Sequence, residues 1–136
     1  MTAPDPLVVR YLSDEWITAV SQAVAHNVDL REVAANHTVS VTQVVTSTPF
    51  GDVAYHLLCR DGVVAFAAGA VPSDVVFTQS YETAVGVATG HINAAEAFIH
   101  GHIHFKGDHQ RVIDAQAIFA ALDTVFVQVR SRTVFN

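Results

Sequence analysis

The feature that most constrains this chain is a change in its hydrophobic period. Trp16, Ile17, Val20 and Val24 recur every three or four residues, the stripe of an amphipathic helix. Val39, Val41 and Val45 instead alternate with Ser40, Thr42 and Thr46, the pattern of a strand with one face buried. Ser13 stands where a helix N-cap is favoured, and Asp14 and Glu15 sit on the positive end of the helix dipole; the helix is expected to end near Asn27. A short further turn fits 30–35. The strand at 39–46 is followed by a turn at 49–52 and by strands at 53–60, Val63–Ala68 and, after Pro72, 75–79. Asp61-Gly62 suits a two-residue hairpin, because that turn needs positive φ, which glycine tolerates. These four strands read as an antiparallel meander.

After Ser80 the helical period returns, with Tyr81, Ala84, Val85 and Ala88 on one face and Gly90 placed to end it. Asn93 and Glu96 have capping-box spacing for a short helix through Phe98 to His100, which Gly101 stops. Residues 102–106 alternate as a fifth strand, with Ile103 and Phe105 inward. Asp108 can cap a long last helix. Its spacing is carried by Ile118, Phe119, Leu122, Val125, Phe126 and Val129, although Val125, Val127 and Val129 also fit a strand. The expected architecture is α+β: a five-stranded, mainly antiparallel sheet with helices on one face. Residues 1–12, with Pro4 and Pro6, read as an N-terminal arm, 13–136 as a single domain, and 123–136 as its C-terminal helical extension.

Composition narrows the function. At 136 residues a single core is expected. The chain is 51% hydrophobic and 15% charged, against roughly 25% charged for an ordinary domain, and this excludes a disordered chain. Much of the apolar content comes from 23 Val and 20 Ala, small or branched residues. Apolar runs such as Val63–Ala68 fall far short of the roughly 18 residues of a membrane span. A net charge of −6, with Arg130 and Arg132 as the only basic cluster, argues against nucleic acid. Cys59 stands alone, so an internal disulfide or a thiolate metal cluster is not expected. The first residues show no basic segment followed by an apolar one, and the Asn36-His37-Thr38 sequon lacks a secretory context, so a cytoplasmic location is expected.

From Asp74 onward the order of motifs resembles a known family. Residues 74–80 (Asp-Val-Val-Phe-Thr-Gln-Ser), a helix, 90–93 (Gly-His-Ile-Asn), Ala97-Phe98 and 101–108 (Gly-His-Ile-His-Phe-Lys-Gly-Asp) are similar to the sterol carrier protein 2 (SCP-2) lipid-binding domain. The likeness extends over roughly 13–122. It implies a sheet and helices enclosing an apolar tunnel that takes sterols, fatty acids, acyl chains or phospholipids, without a catalytic residue or cofactor. The apolar composition agrees, since such a pocket needs small and branched walls with few polar groups. Its expected lipid-contacting wall is Phe66, Phe77, Ile103 and Phe105 from the sheet, with Val85, Phe98, Ile118, Phe119 and Leu122 from the helices. Two features depart from the family. His102 and His104 occupy a face that is often Lys-rich, and 123–136 extend the chain as a lid or an interface.

Other chemistry is weaker. His100, His102 and His104, with His91 or Asp108, have the residue types of a zinc site. However, Gly101 takes His100 out of the strand, and His102 and His104 alternate with inward Ile103 and Phe105, which puts them on the solvated face. The chain has no Gly-X-Ser-X-Gly elbow, His-Glu-X-X-His pair or phosphate-cradling loop. Cys59 reads as a buried thiol and Trp16 as core. Protonation of all eight histidines would move the net charge from −6 to +2, which would favour transient contact with an anionic membrane in mild acid. Two rival readings are a homodimeric interaction module with a filled core and an enzyme acting on a hydrophobic substrate.

Overall fold

The computed structural model describes residues 8–135; the first seven residues of the expected arm, and Asn136, lie outside them. After β1 (Val9–Arg10), helix α1 (Asp14–His26) starts where the capping residue places it: the Ser13 hydroxyl accepts the Trp16 N–H at 3.2 Å. Its buried stripe is Trp16, Ile17, Ala19, Val20 and Val24. Asn27 then caps α2 (Val28–Ala34) by accepting the Leu30 N–H at 2.8 Å.

The main sheet is built from β2 (Val39–Thr48), β3 (Gly51–Arg60), β4 (Val63–Ala68), β5 (Val75–Ser80) and β6 (Ile103–Gly107), in the spatial order β4-β3-β2-β5-β6. Asp61 and Gly62 both take positive φ, 53° and 79°, as the β3–β4 hairpin requires. The meander ends there. Contrary to expectation, β5 runs parallel to β2, with Val41 opposite Val75 and Gln43 opposite Phe77. Residues 69–74 carry the chain from the β4 edge across the outer face of β3 and β2.

The polar half of the strand alternation holds that crossing in place. His56 Nδ1 donates to the Gly69 carbonyl at 2.8 Å, and Thr42 Oγ1 donates to the Val71 carbonyl at 3.1 Å. Ser40 Oγ accepts the Asp74 N–H at 2.8 Å. Thr42 and His56 are therefore buried although they point away from the helices.

Asp74 joins three strands. Its Oδ2 accepts the Ser40 N–H at 3.0 Å and its carbonyl accepts the Asp108 N–H at 3.0 Å. Gly107, at φ 129°, lies so close that a Cβ there would collide with the Asp74 carbonyl oxygen. The Asp-led strand and the Gly-Asp ending that carry the family resemblance are thus ties between β2, β5 and β6.

Helices α3 (Tyr81–Ala88) and α4 (Ala94–Ile99) have side-chain caps from Ser80 and Asn93. The long last helix is two helices. Asp108 caps α5 (His109–Asp114), and Ala115, at ψ 13°, breaks the run before α6 (Gln116–Arg130). Within α6, Val125 and Val129 are buried while Val127 is 47% exposed, the helical solution to a pattern that also fitted a strand. The chain ends in β7 (Thr133–Val134), parallel to β1. Val9, Tyr11 and Leu12, expected in the loose arm, are buried in the core, and the Tyr11 N–H donates to the Val134 carbonyl at 2.9 Å. Arm and extension hold each other.

Candidate functional site

Strand register sets the floor of the site. Gln43 lies between Tyr55 and Phe77, and Phe77 faces Phe105; two residues along, Val41 lies between Leu57 and Val75, with Phe66 across from Leu57. Above this inner face is a cavity of about 470 Å³. Val41, Gln43, Tyr55, Leu57, Phe66 and Gln79 line it from the sheet, and Ala84, Val87 and Ala88 from α3. Phe119, Leu122 and Phe126 close it from α6. The space exists because α3 presents small side chains to a sheet face whose aromatic neighbours pack against one another. Trp16 stacks on Phe126 with centroids 6.0 Å apart and meets Tyr55 edge-on at 5.6 Å, while Phe119 meets Phe77 edge-on at 6.2 Å.

The mouth is marked by exposed Gly90, Ala94, Asp123, Val127 and Arg130. Arg130 donates to the Ala88 carbonyl at 3.1 Å and so ties α6 to the C-terminal end of α3, where a cation is favoured. Inside, the sheet face is interrupted by two amides. Gln79 Nε2 donates to Gln43 Oε1 at 3.4 Å, and Gln79 Oε1 is buried without a hydrogen-bond partner. Burial raises the pKa of Tyr55, and also that of Tyr11, where neighbouring Tyr55 and Tyr81 add to the effect. Burial likewise raises the pKa of the Cys59 thiol.

Of the expected wall, Phe66, Phe119 and Leu122 line this cavity. Ile118 is fully buried in the core and Val85 packs against it, neither on the cavity wall. Phe77, Phe98 and Phe105 form a second aromatic cluster at the β6 edge, with Phe77–Phe105 at 5.7 Å and Phe98–Phe105 at 6.3 Å, and Ile103 is half-buried beside them on β6. Gln43 was missed although its signal was present: it has the same strand parity as inward Val41 and Val45. Tyr55 and Leu57 share the parity of Cys59. Ala84 and Ala88 share the helix face that the sequence pattern marks as apolar, and in the structure both line the cavity.

A second groove, about 590 Å³, lies at the ends of β2, β3 and β4. Exposed Leu58, Arg60, Asp61, Val63 and Arg111 line much of it, so it is a feature of the surface rather than of the interior. His100, His102 and His104 are exposed, and among the described residues no three His, Cys, Asp or Glu side chains gather to hold an ion.

Comparison with known proteins follows the same geometry. The SCP-2 sterol transfer family matches residues 21–120. A conserved hypothetical protein from Thermus thermophilus, described as possibly a sterol carrier protein, has the same fold at TM-score 0.69 and 19% identity, over 89% of this chain and 90% of that one. Palmitated SCP2L2 of Aedes aegypti aligns at TM-score 0.57 and 18% identity, over 80% and 94%. An inverting sec-alkylsulfatase from Pseudomonas sp. aligns at TM-score 0.53 and 20% identity, over 81% of this chain but 16% of its own. No curated protein matches by sequence. The family match spans most of the folded core, from within α1 into α6, and the chain belongs to the SCP-2 sterol transfer family.

Proposed function

We propose that the protein is a lipid carrier. It takes a sterol, fatty acid or acyl chain into the space between sheet and helices, acts as a carrier rather than a catalyst, and works in the cytoplasm with transient membrane contact. The cavity of about 470 Å³ carries this reading: it falls within the roughly 300–1,000 Å³ of small-molecule sites, and its walls are mostly aliphatic and aromatic. Phe66, Phe119 and Leu122 form its wall, and the Phe77–Phe98–Phe105 cluster with Val85, Ile103 and Ile118 supports it from the sides. Burying about 14 methylenes at ~0.8 kcal/mol each gives ~11 kcal/mol.

The homodimeric module with a filled core is the weaker reading, because a filled core leaves no such space. Native mass spectrometry of the purified protein, together with titration by a dansyl-labelled undecanoic acid, separates the two. A carrier shows co-purified lipid mass or saturable probe binding, and Ala88→Phe, which fills the cavity, abolishes the latter. A ligand-free dimer that does not bind the probe would overturn the proposal.

A further inference from the structure

Five of the eight histidines fall within residues 91–114, the stretch that makes α4, β6 and α5. The same stretch holds two basic and three acidic side chains, so its formal charge is −1 with neutral imidazoles and +4 with protonated ones. The rest of the chain moves only from −5 to −2. In mild acid, where an imidazole gains its charge, this region turns positive while the remainder stays acidic.

The region is also apolar. Ala94, at the cavity mouth, and Phe98 are four residues apart on α4 and share one side of it. Phe98 meets Phe105 at 6.3 Å, Phe105 meets the His109 ring at 4.6 Å, and His109 and Ile113 are four residues apart on α5. An apolar row thus runs from the mouth across β6 to α5, with Phe98, Ile99 and Ile113 exposed. Most charged groups around it are engaged. Asp108 caps α5, Asp114 accepts from Gln110 Nε2 at 2.9 Å, and Arg111 donates to the Thr38 carbonyl at 2.7 Å. Glu96 of α4 and Lys106 of β6 are exposed. β5 has no charged side chain and places Thr78 opposite His104; Glu82 of α3 follows just past its end, towards His102. α6 brings Asp123 and Arg130, both at the mouth, where His91 follows Gly90.

We propose that the α4–β6–α5 face docks the protein on an anionic lipid surface, its histidines meeting the headgroups while Ile99 and Ile113 enter between them. Docking here supplies the membrane contact of the carrier reading, on which it rests, and brings the cavity mouth to the bilayer. An anionic leaflet concentrates protons as well as other cations, so the imidazoles gain charge on approach. The charge fits a lipid surface better than a second copy of the chain, which would present the same positive face.

The test is flotation with vesicles of phosphatidylcholine, alone or with about one-third phosphatidylglycerol, at about pH 5.5 and about pH 7.5. Binding to the mixed vesicles at the lower pH is about tenfold tighter or better than at the higher pH, and than to phosphatidylcholine alone. Ile99→Ser with Ile113→Ser weakens it about tenfold, whereas Val63→Ser, comparably exposed on the opposite edge strand β4, leaves it unchanged. Replacing His100, His102, His104 and His109 by Gln abolishes the pH difference. Binding that is equal at both pH values or on both vesicles overturns the inference, as does a pH difference that survives the Gln replacements or a Val63→Ser loss equal to that of the isoleucine pair. Association in acid without vesicles, read by light scattering, overturns it in favour of a second copy. Each of these results leaves the carrier reading standing while the dansyl probe still binds in the absence of vesicles; failure of the natural protein to bind that probe removes the carrier reading instead. The natural protein alone, compared across pH and vesicle charge, decides the matter if a variant does not fold.

Discussion

One sheet supports two kinds of packing. Over β2–β4, the 13-residue α1 and the 15-residue α6 run long enough to bury complete stripes, so Val20, Val24, Val125 and Val129 are closed to solvent, as are Leu30 of α2 and Ile118 of α6. Over β5 and β6 the eight-residue α3 is joined by α4 and α5, which have six residues each. A helix of that length is fewer than two turns and cannot present a full stripe. Phe98, Ile99 and Ile113 accordingly remain 44%, 77% and 61% exposed. The cavity lies at the seam, with Trp16, Phe66 and Phe126 on the well-packed side and Phe119 on the side of the Phe77–Phe105 cluster. A closed interior on both sides would leave nowhere for a ligand, and an open one on both sides would not hold the sheet.

Core truncation probes that contrast most strongly. Leu30→Ala or Ile118→Ala is expected to cost about 2–5 kcal/mol of unfolding free energy, and Ile99→Ala or Ile113→Ala about 0.5 kcal/mol or less. Urea midpoints measured in parallel decide it; equal losses would mean that the two halves are packed alike. Gly107→Ala tests a tight point of the exposed half. Positive φ and the collision with the Asp74 carbonyl together predict a loss of about 3 kcal/mol, while a neutral result would show that β5 and β6 can part without cost.

The phenols of Tyr11 and Tyr55 sharpen the well-packed side. Burial raises both above the ordinary 10.0, so each stays protonated in the native protein at a pH where the unfolded chain ionises. Their contribution is fully present below pH 10 and is lost as pH rises towards the folded values. The expected fall is about 1.4 kcal/mol per pH unit for each phenol once the pH passes the unfolded value, and Tyr55→Phe removes that one share of the slope. Unfolding curves from pH 9 to 11 measure it; an unchanged slope in the variant would show that Tyr55 ionises freely in place. The smallest energetic effect concerns Cys59, whose thiol is buried and whose pKa is raised. In native protein it should react with a thiol reagent only on opening, whereas an Ile99→Cys variant carries a second thiol that labels at once. Equally fast labelling of both would erase the difference between the halves.

Local signals were the ones legible in the residues. Ser13, Asn93 and Asp108, the expected caps, each cap a helix through a bond spanning two or three residues, and Asn27 and Ser80, expected only as helix boundaries, do the same, since such bonds follow from short-range chemistry. The Asp61-Gly62 turn is equally local. The direction of β5 was not legible, because it depends on hydrogen bonds between residues about thirty apart, such as Thr42 with Val71 and Ser40 with Asp74. The break at Ala115 carries neither glycine nor proline to announce it. Within the site, strand parity was enough to place Gln43 inward. Finding Gln79 beside it required knowing that β2 and β5 are neighbours.

By itself, then, the sequence determined the element types, the caps, the α+β class and an apolar surplus in small and branched residues, since periodicity and turn chemistry act over a few positions. Only the tertiary structure decided that β5 crosses to lie parallel to β2, that the two termini pair as β1 and β7, and that the surplus encloses a cavity with two amides in its wall. Those outcomes depend on which distant surfaces meet, and hydrophobic burial is non-directional until register and crossing loops give it a geometry.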